Sequence, residues 1–272
     1  MRDLAYVPIA LRPWKPLFRY LFRIEFEGHE TLPEESFVFI ANHNIGAAIE
    51  IMALLDYWHA HFKERPVYGL SHPFVFKIPG LRSHFLKIGG IPATFDAAFK
   101  ALDEGASLLI FPGGNFEAVR PFSQRHRCDF GGHKGWAKVA LEKNRRIIPI
   151  SILGSHSVNP VLARTRWLSW ALVIPRLLGI RYFPITVSQV IWSTLAFAAI
   201  GSSASLGLGL AAAYTVFVLS PLWPIWPAKI RIRFGAPMDL HALTSEIDDP
   251  NEKIMKSYER VTQAVQKGLE LD

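Results

Sequence analysis

A long stretch without formal charge constrains the fold of this chain more than any other feature. Residues 182–228 contain no Asp, Glu, Lys or Arg. Two apolar runs lie inside the stretch, at 185–200 and 206–222. At about 1.5 Å per residue, a helix of either length reaches about 24–26 Å, slightly less than the roughly 30 Å hydrocarbon core of a bilayer. We predict an apolar helical hairpin, inserted at about 183–227, that dips into a membrane; a buried two-helix core layer is the alternative.

Cations and tryptophans flank this stretch on both sides. Arg176 and Arg181 precede it, Lys229 follows it, and Trp223 and Trp226 lie near its exit. Tryptophan favours the membrane interface, and Lys and Arg favour the cytoplasmic side. The whole chain has a net charge of +7, and its mean hydropathy of +0.18 is high for so basic a protein. This combination predicts a bilayer as partner rather than nucleic acid, with the protein on the cytoplasmic face, either monotopic or hairpin-inserted.

The remainder of the chain predicts an α/β fold, with a mixed central sheet flanked by helices. Short apolar strands alternate with helical stretches, which is typical of such sheets. The predicted strands cover 37–41, 67–70, 107–111, 147–153 and 229–234, the last as a half-exposed edge strand. The predicted helices cover 95–104 and 134–143, with a final one that begins at Pro250. We assign residues 29–272 to one domain that the hairpin interrupts.

Residues 1–28 are predicted to form an amphipathic, interfacial segment. Bulky aromatic side chains alternate there with Arg12, Lys15 and Arg19, as in segments that lie at a membrane surface. The alternative is an amphipathic helix packed on the domain. A single cysteine, Cys128, cannot form an internal disulfide, so the sequence does not suggest a secreted disulfide scaffold.

Two predicted strands end in residues that carry chemistry. His43 follows the first strand directly, at the sheet edge where α/β folds place their sites. Downstream of it, Glu50 is the nearest carboxylate. Another strand runs into Gly113 and Gly114, whose small size allows backbone N–H groups to approach a substrate oxygen. The sequence therefore predicts a site that combines a histidine, an acid and a glycine turn.

Taken in order, these segments resemble the four motif blocks of the glycerolipid acyltransferase superfamily. The blocks are Asn42-His43, Lys87-Ile88-Gly89-Gly90-Ile91, Phe111-Pro112-Gly113-Gly114 through Glu117 and Arg120, and Ile148-Pro149-Ile150. Pro-Gly-Gly is most similar to the monoacylglycerol and diacylglycerol acyltransferase branch, since the phospholipid-making branch has Pro-Glu-Gly there. The resemblance implies a membrane-associated O-acyltransferase that moves a fatty acyl group from acyl-CoA or acyl-carrier protein to a lipid hydroxyl. His43 would be the general base, without an acyl-enzyme.

The chain departs from the superfamily pattern in two blocks. The first block is His-x4-Asp in the superfamily, but Ala48 stands at the Asp position. We predict that Glu50 orients the imidazole instead, folding back from the first turn of a helix; a backbone carbonyl is the alternative. In the second block Pro92-Ala93-Thr94 replaces a basic residue. This loss favours a neutral or zwitterionic lipid alcohol as acceptor, with a lysophospholipid or lysophosphatidic acid as the alternative.

Eight residues are predicted to bind substrate. They are Gly89, Gly90, Gly113, Gly114, Glu117, Arg120, Arg125 and Arg127. The glycine turn would supply oxyanion donors. The basic loop from Arg120 to Arg127 would hold the phosphates of coenzyme A or an acidic carrier protein, and an anionic-lipid contact or a solvated loop is equally compatible with its charge. We predict no cofactor apart from the thioester co-substrate.

Other functional classes fit the sequence less well. A serine hydrolase needs G-x-S-x-G, which is absent, and the P-loop and dinucleotide-binding patterns are absent too. The pair His59 and His61 would point to different sides of a helix, so we predict no metal site. A non-catalytic membrane-binding or lipid-transfer protein is the main alternative to an enzyme. The sequence leaves the oligomeric state open.

Overall fold

The computed structural model describes residues 2–44, 49–177, 179–203, 205–224 and 226–270. Its strands are β1 (Glu25–Glu27), β2 (Val38–Ala41), β3 (Val67–Ser71), β4 (Gly90–Pro92), β5 (Ser107–Ile110), β6 (Ile147–Leu153), β7 (Val161–Thr165), β8 (Phe183–Thr186) and β9 (Arg231–Phe234). Its helices are α1 (Tyr6–Leu11), α2 (Ile49–Phe62), α3 (Pro79–Ile88), α4 (Phe95–Asp103), α5 (Gly114–Ala118), α6 (Gly135–Glu142), α7 (Trp167–Ala171), α8 (Ile174–Leu177), α9 (Val187–Ser203), α10 (Leu206–Leu219), α11 (Leu240–Leu243) and α12 (Pro250–Glu270).

Seven strands form one mixed sheet, in the order β1-β9-β6-β2-β5-β3-β4. Strands β6, β2, β5, β3 and β4 run parallel, whereas β9 is antiparallel to β6. Strand β2 lies in the middle and is buried on both faces. Phe39 and Ala41 pack with α2 and the N-terminal segment. Val38 and Ile40 pack with α4, α6 and α12. This architecture confirms the predicted fold class, and it brings the ends of β2 and β5 to one sheet edge.

The last strand of the sheet corrects one prediction. Strand β9 is not an edge, because β1 pairs with it in parallel and is itself the edge. Strand β1 is three residues long and contains Glu25 and Glu27, so no apolar pattern indicates it. Glu25 pairs with Lys229 at 2.8 Å, and Glu27 pairs with Arg233 at 2.7 Å. The positive charges that suggested an exposed edge at 229–234 thus form ion pairs with glutamates of the neighbouring strand β1.

The N-terminal segment packs on the domain through one face. Val7, Leu11, Phe18 and Phe22 are buried in the core beside α2, whereas Tyr20 is exposed. The alternative prediction, an amphipathic helix packed on the domain, therefore describes the buried face of this segment. Strand β1, at the end of the predicted interfacial segment, belongs to the main sheet.

Helices α9 and α10, the helix pair below, pack against each other and leave most of their apolar side chains exposed. Leu206 is 66% exposed and Leu195 is 53% exposed, and within the described part of α10 only Gly209 is buried. This exposure excludes the alternative of a buried core layer. No helix in the described ranges is long and apolar enough to cross a membrane.

A buried polar network holds the base of the helix pair. The Asn159 amide donates hydrogen bonds to Ser188 Oγ and to the Pro221 carbonyl, at 2.9 and 2.8 Å. Ser188 Oγ donates in turn to the Ser220 carbonyl, and the Gln189 amide donates to the Phe217 carbonyl. These bonds join the start of α9, the end of α10 and the segment after β6. The pair is therefore attached to the domain by satisfied buried hydrogen bonds, which make such networks rigid.

The helices of the pair approach most closely at two glycines, which generates a prediction. A Cβ on Gly209 would lie 2.7 Å from the Cα of Gly201, whereas a Cβ on Gly207 would have no neighbour within 4 Å. We expect Gly209→Ala to lower the free energy of unfolding by about 1–3 kcal/mol, because the helices must separate. Gly207→Ala, the control, should leave stability unchanged or slightly raised. Urea unfolding in detergent measures both, and equal effects would contradict the close packing.

Candidate active site

Two buried asparagines fix the end of β2. The Asn42 side chain donates to the Ile152 carbonyl at 2.9 Å and accepts from the Ile152 N–H at 2.7 Å. Asn44 donates from its amide to the Ser155 carbonyl. Both side chains are almost completely buried. His43 therefore lies between two asparagines that are hydrogen-bonded to β6 or to the segment that follows it. The sequence patterns assign no such role to either asparagine.

Glu50 lies against the imidazole of His43. Its Oε1 is 3.2 Å from His43 Nδ1 and accepts the Asn44 N–H at 2.7 Å. Glu50 is fully buried in the first turn of α2, where the helix N-terminus favours a carboxylate. The intervening residues 45–48 lie outside the described residues, and with them the position of Ala48. Within the described part of the chain, Glu50 therefore contacts His43, as the sequence predicts.

The contact with Glu50 determines what His43 can do. When Nδ1 donates to the Glu50 carboxylate, Nε2 carries a free lone pair and can accept a proton. The side chain of His43 is 20% exposed, so the imidazole is not sealed from solvent. The ring also packs on Phe111 at the end of β5, with 4.7 Å between centroids. A partly open base thus lies between the ends of two parallel strands.

The glycine turn after β5 is interlocked with Glu117. A Cβ on Gly113 would lie 2.3 Å from the Cβ of Glu117 and 2.6 Å from its Oε2, so only glycine fits. Gly114 has φ of 46°, and a Cβ there would have no neighbour within 4 Å. Glu117 is buried below the turn. The close approach gives a physical reason for a glycine four residues before this acid.

Burial raises the pKa of Glu117 to about 8, although the charge of Arg120 and the backbone N–H groups of Asp129 and His43 lower it. Arg120 Nη2 lies 3.4 Å from Glu117 Oε1 and 3.3 Å from His156 Nε2. Burial and the nearby Arg120 charge lower the pKa of His156 to about 3, so this histidine is neutral. A buried chain of three titratable groups therefore lies beside the backbone of His43.

Arg120 lies apart from the other arginines of the predicted basic loop. Arg120 is 2% exposed and bound to Glu117 and His156, so it does not share a surface with Arg125 and Arg127. The neighbours of Arg120 in sequence are apolar, and this stretch of the chain enters the protein interior. The charge of Arg120 alone suggests a surface position. His156 was missed by the sequence analysis, since it follows β6 in a segment without a recognised motif.

The other predicted binding residues lie in two places. Arg127 is exposed, and Arg125 is half-buried with its guanidinium 4.4 Å from the Phe122 ring centroid. Gly89 and Gly90 line a cavity of about 120 Å³ between α2, α3 and the sheet. Phe39, from β2, forms part of the cavity floor. The two glycines therefore belong to an apolar cavity on the α2 face, and not to the polar turn.

The described residues contain no cluster of three or more His, Cys, Asp or Glu side chains that could hold a metal ion. His61 Nδ1 lies 2.9 Å from the Tyr57 carbonyl in its own helix. Cys128 is buried, and burial raises the pKa of its thiol. The reactive groups that the structure brings together are therefore His43, Glu50 and the glycine turn.

Comparison with known proteins finds a family model and several relatives that match part of this chain. A family model described as Acyltransferase matches residues 23–153. An uncharacterized protein of Mycobacterium leprae is 30% identical over 179 residues, which cover 65% of this chain and 47% of that protein. The DGAT1/2-independent enzyme synthesizing storage lipids of Gallus gallus is 28% identical over 130 residues, 46% of this chain and 37% of the relative. The chain spans about half the length, or less, of the curated relatives it matches.

A further relative and a solved structure are also similar to this chain. The chloroplastic phytyl ester synthase 2 of Arabidopsis thaliana is 22% identical over 144 residues, 49% of this chain and 20% of the relative. The crystal structure of the 1-acyl-sn-glycerophosphate acyltransferase of Thermotoga maritima superposes with a TM-score of 0.53. That superposition covers 99% of this chain and 83% of the other at 17% identity, so it shows a shared fold.

The glycine turn generates a prediction about stability. Gly113→Ala should lower the free energy of unfolding by about 1–3 kcal/mol, because the new Cβ displaces the buried Glu117 side chain. Gly114→Asn is the control, because asparagine tolerates a positive φ and the site around Gly114 is open. Urea unfolding of both variants measures these changes in the free energy of unfolding. A destabilisation by Gly114→Asn as large as that by Gly113→Ala would contradict the interlock.

Proposed function

We propose that this protein transfers a fatty acyl group from a thioester donor to the hydroxyl of a lipid acceptor, because residues 23–153 match an acyltransferase family model. The observation that carries the proposal is the contact between His43 Nδ1 and the buried Glu50 carboxylate at the end of the central strand. This contact leaves Nε2 as a base at a partly open site. A hydroxyl needs such a base because its pKa is too high for attack at neutral pH.

The reaction proceeds by direct attack. The acceptor oxygen forms a bond to the thioester carbonyl carbon while its proton moves to His43 Nε2. The tetrahedral intermediate then collapses, the carbon–sulfur bond breaks, and the leaving thiolate takes the proton from His43. Glu50 orients the imidazole and stabilises its cationic form between the two proton transfers. The buried Cys128, the only cysteine, is poorly suited to carry an acyl group.

The backbone N–H of Gly113 is the proposed donor to the developing oxyanion, because the N–H of Gly114 already donates to the Phe111 carbonyl at 3.1 Å. Gly113 and Gly114 begin α5 beside Phe111, whose ring contacts His43. Donors held in a fixed geometry stabilise the charge that appears on the carbonyl oxygen, and removal of one such donor typically costs about 10²–10³ in rate. Exposed Arg127 and half-buried Arg125, farther along this segment, would contact the phosphates of coenzyme A or an acidic carrier protein.

The residues favour an acceptor without a phosphate group. Arg120 is bound to Glu117 and His156 inside the protein, so its guanidinium is not presented to an acceptor. Residues 92–94 contribute no cation either. The names of two relatives, an enzyme synthesizing storage lipids and a phytyl ester synthase, support this choice. A neutral lipid alcohol is therefore the proposed acceptor, and a lysophospholipid is the alternative.

The cavity on the α2 face is proposed to hold part of the acyl chain. Its walls are almost entirely apolar, with Met52, Trp58 and Leu109 among them. An apolar cavity of comparable size in another protein stays dry and takes up an apolar molecule. Phe39 and Leu109 also lie on the strands that lead to His43 and Phe111, so the cavity lies below the base. Gly89 and Gly90, which are predicted to bind substrate, would then contact the acyl chain.

The helix pair is proposed to insert into the bilayer that supplies the acceptor. It carries no formal charge, and its exposed residues are large and apolar, among them Leu206 and Leu210. Burial of such side chains in lipid stabilises an interfacial position by about 25 cal/mol per Å² of apolar surface.

Acyl transfer is tested with purified protein, acyl-CoA and a panel of acceptors that includes monoacylglycerol, a long-chain alcohol and lysophosphatidic acid. His43→Ala should lower kcat by about 10²–10⁴-fold, since the base is lost. Glu50→Gln should cause a smaller loss of kcat, because the imidazole stays in place without its charged partner. Release of free coenzyme A and formation of the ester are both measured.

His59→Ala is the matched control, because this histidine lies in the last turn of α2, away from the strand ends. Its activity should equal that of the wild type. Full activity of His43→Ala would refute the proposed mechanism. Absence of transfer to every acceptor by a folded, vesicle-binding wild type would favour a membrane-binding or lipid-transfer protein.

The cavity generates a prediction about chain length. Gly69 lines the cavity, and a Cβ there would have no neighbour within 4 Å. Gly69→Leu should therefore fill the space without displacing the strand and shift the donor preference toward shorter acyl chains. We expect kcat/KM for the longest chain to fall by about 10-fold or more relative to the shortest, as loss of buried methylene contacts predicts. Gly80→Leu, at an exposed glycine of α3, is the control, and an unchanged preference in Gly69→Leu would exclude the cavity.

A further inference from the structure

Two short helices outside the helix pair expose an unusual number of large apolar side chains. In the segment 167–177, which comprises α7 and α8, Trp167 is 65%, Trp170 is 62% and Leu177 is 76% exposed. Soluble surfaces rarely gather such side chains, and a patch of this kind marks an interaction site. Val173, between the two helices, is a β-branched residue with φ of 57°, a conformation that costs of order 1–3 kcal/mol. The fold thus contains a strained turn between the two helices.

The charge around segment 167–177 is entirely positive in sequence. No Asp or Glu occurs between Glu142 and Asp239, whereas Arg166, Arg176 and Arg181 lie in or beside the segment. The Arg176 guanidinium lies 4.1 Å from the Trp170 ring centroid. None of these three arginines forms an ion pair with a residue in the described ranges. Their charges are therefore available to an external anion.

An anionic bilayer fits this surface better than an acidic protein or a nucleic acid. Trp together with Arg is the composition of segments at the lipid interface, where the ring enters the headgroup layer and the cation meets lipid phosphate. The position supports the same occupant. Tyr214 of α10 donates a hydrogen bond to the Leu172 carbonyl at 3.1 Å, so the segment adjoins the uncharged helix pair. One lipid surface can contact both.

Segment 167–177 is also connected to the glycine turn. The Asn115 side chain, in α5, donates to the Tyr182 carbonyl at 3.0 Å and accepts from its N–H at 2.8 Å. Arg164, in β7, donates to the Phe116 carbonyl at 2.6 Å, and its guanidinium lies 3.7 Å from the Phe116 ring centroid. The strands that carry the segment are therefore attached on both sides to the helix that begins at the glycine turn.

From these contacts we propose that segment 167–177 is an anionic-lipid-binding surface that seats the protein on the bilayer from which the lipid acceptor arrives. The inference rests on the proposed function, because it assigns the surface from which that acceptor arrives. It is separate from the insertion of the helix pair, since the side chains and charges that carry it lie outside α9 and α10. Electrostatic attraction to anionic lipid would add to the apolar contact of the pair.

The test measures binding of the full chain to vesicles of phosphatidylcholine, with and without phosphatidylglycerol, by co-sedimentation. The wild type should bind the anionic vesicles more tightly, and rising salt should reduce the difference. Arg166→Gln/Arg176→Gln should weaken binding to anionic vesicles by about 10- to 30-fold, as expected for two cations at the surface, and leave binding to phosphatidylcholine unchanged. Trp167→Ala/Trp170→Ala should weaken binding to both.

Leu177→Glu is a second variant that does not disturb the interior, because the side chain is already exposed, and it should also lose binding. Leu243→Ala/Met255→Ala removes exposed apolar side chains on α11 and α12 and should bind like the wild type. Binding by the arginine variant equal to that of the wild type overturns the proposal. So does a wild type without preference for anionic vesicles, which would favour a protein partner for this surface.

Acyl transfer to an acceptor in detergent micelles separates this inference from the proposed function. The surface variants should retain wild-type rates in micelles and lose rate on the vesicles to which each of them binds less tightly. A wild type that transfers no acyl group in either medium refutes the proposed function, and the vesicle-binding results then still decide the role of the surface.

Discussion

The two hydrogen bonds between the Asn42 side chain and the Ile152 backbone are the interaction on which the site depends. Strand β2 ends at Ala41, but its neighbour β6 continues, and the amide of Asn42 takes the place of the missing ladder partner. Because β2 is paired on both sides, its register cannot slip without reversing the two faces of the core. His43 therefore leaves the sheet in one direction, toward Glu50 and Phe111.

Two buried carboxylates then approach His43 from different helices. Glu50, in α2, contacts the imidazole, and Glu117, in α5, lies near the backbone N–H of the same residue. A buried carboxylate is costly unless it is paired or hydrogen-bonded. The Asn44 N–H and the start of α2 compensate the charge of Glu50, whereas at Glu117 burial outweighs the charge of Arg120 and raises the pKa to about 8. The two acids beside the base thus have different environments.

The uncharged insert is part of the same mechanical unit as the site. The network around Asn159 and Ser188 holds the base of the helix pair, and the Asn115 side chain holds Tyr182 where the insert begins. Asn115 directly follows Gly114 of the turn. The segment proposed to face lipid and the turn proposed to stabilise the oxyanion are therefore joined by hydrogen bonds, an arrangement suited to the proposed transfer to an acceptor from a bilayer.

Local patterns in the sequence predicted much of this fold. Apolar runs identified five strands of the sheet, and the contrast between the uncharged stretch and the rest located the helix pair. Short elements such as β1 and β4 escaped, because three residues form a strand only when a long neighbour supplies the hydrogen bonds. The charged residues of 229–234 suggested an edge strand, because the residues that pair with them lie on β1, which is distant in sequence.

The sequence by itself determined which chemistry is available: a histidine after a buried strand, an acid seven residues later, and a glycine turn after a second strand. Only the tertiary structure decided which groups meet. It placed Glu50 against His43, withdrew Arg120 from the surface to pair with Glu117, and brought in His156 and Asn42, for which no motif exists. The physical reason is that burial and pairing depend on elements far apart along the chain, whereas patterns in a sequence report only the neighbourhood of each residue.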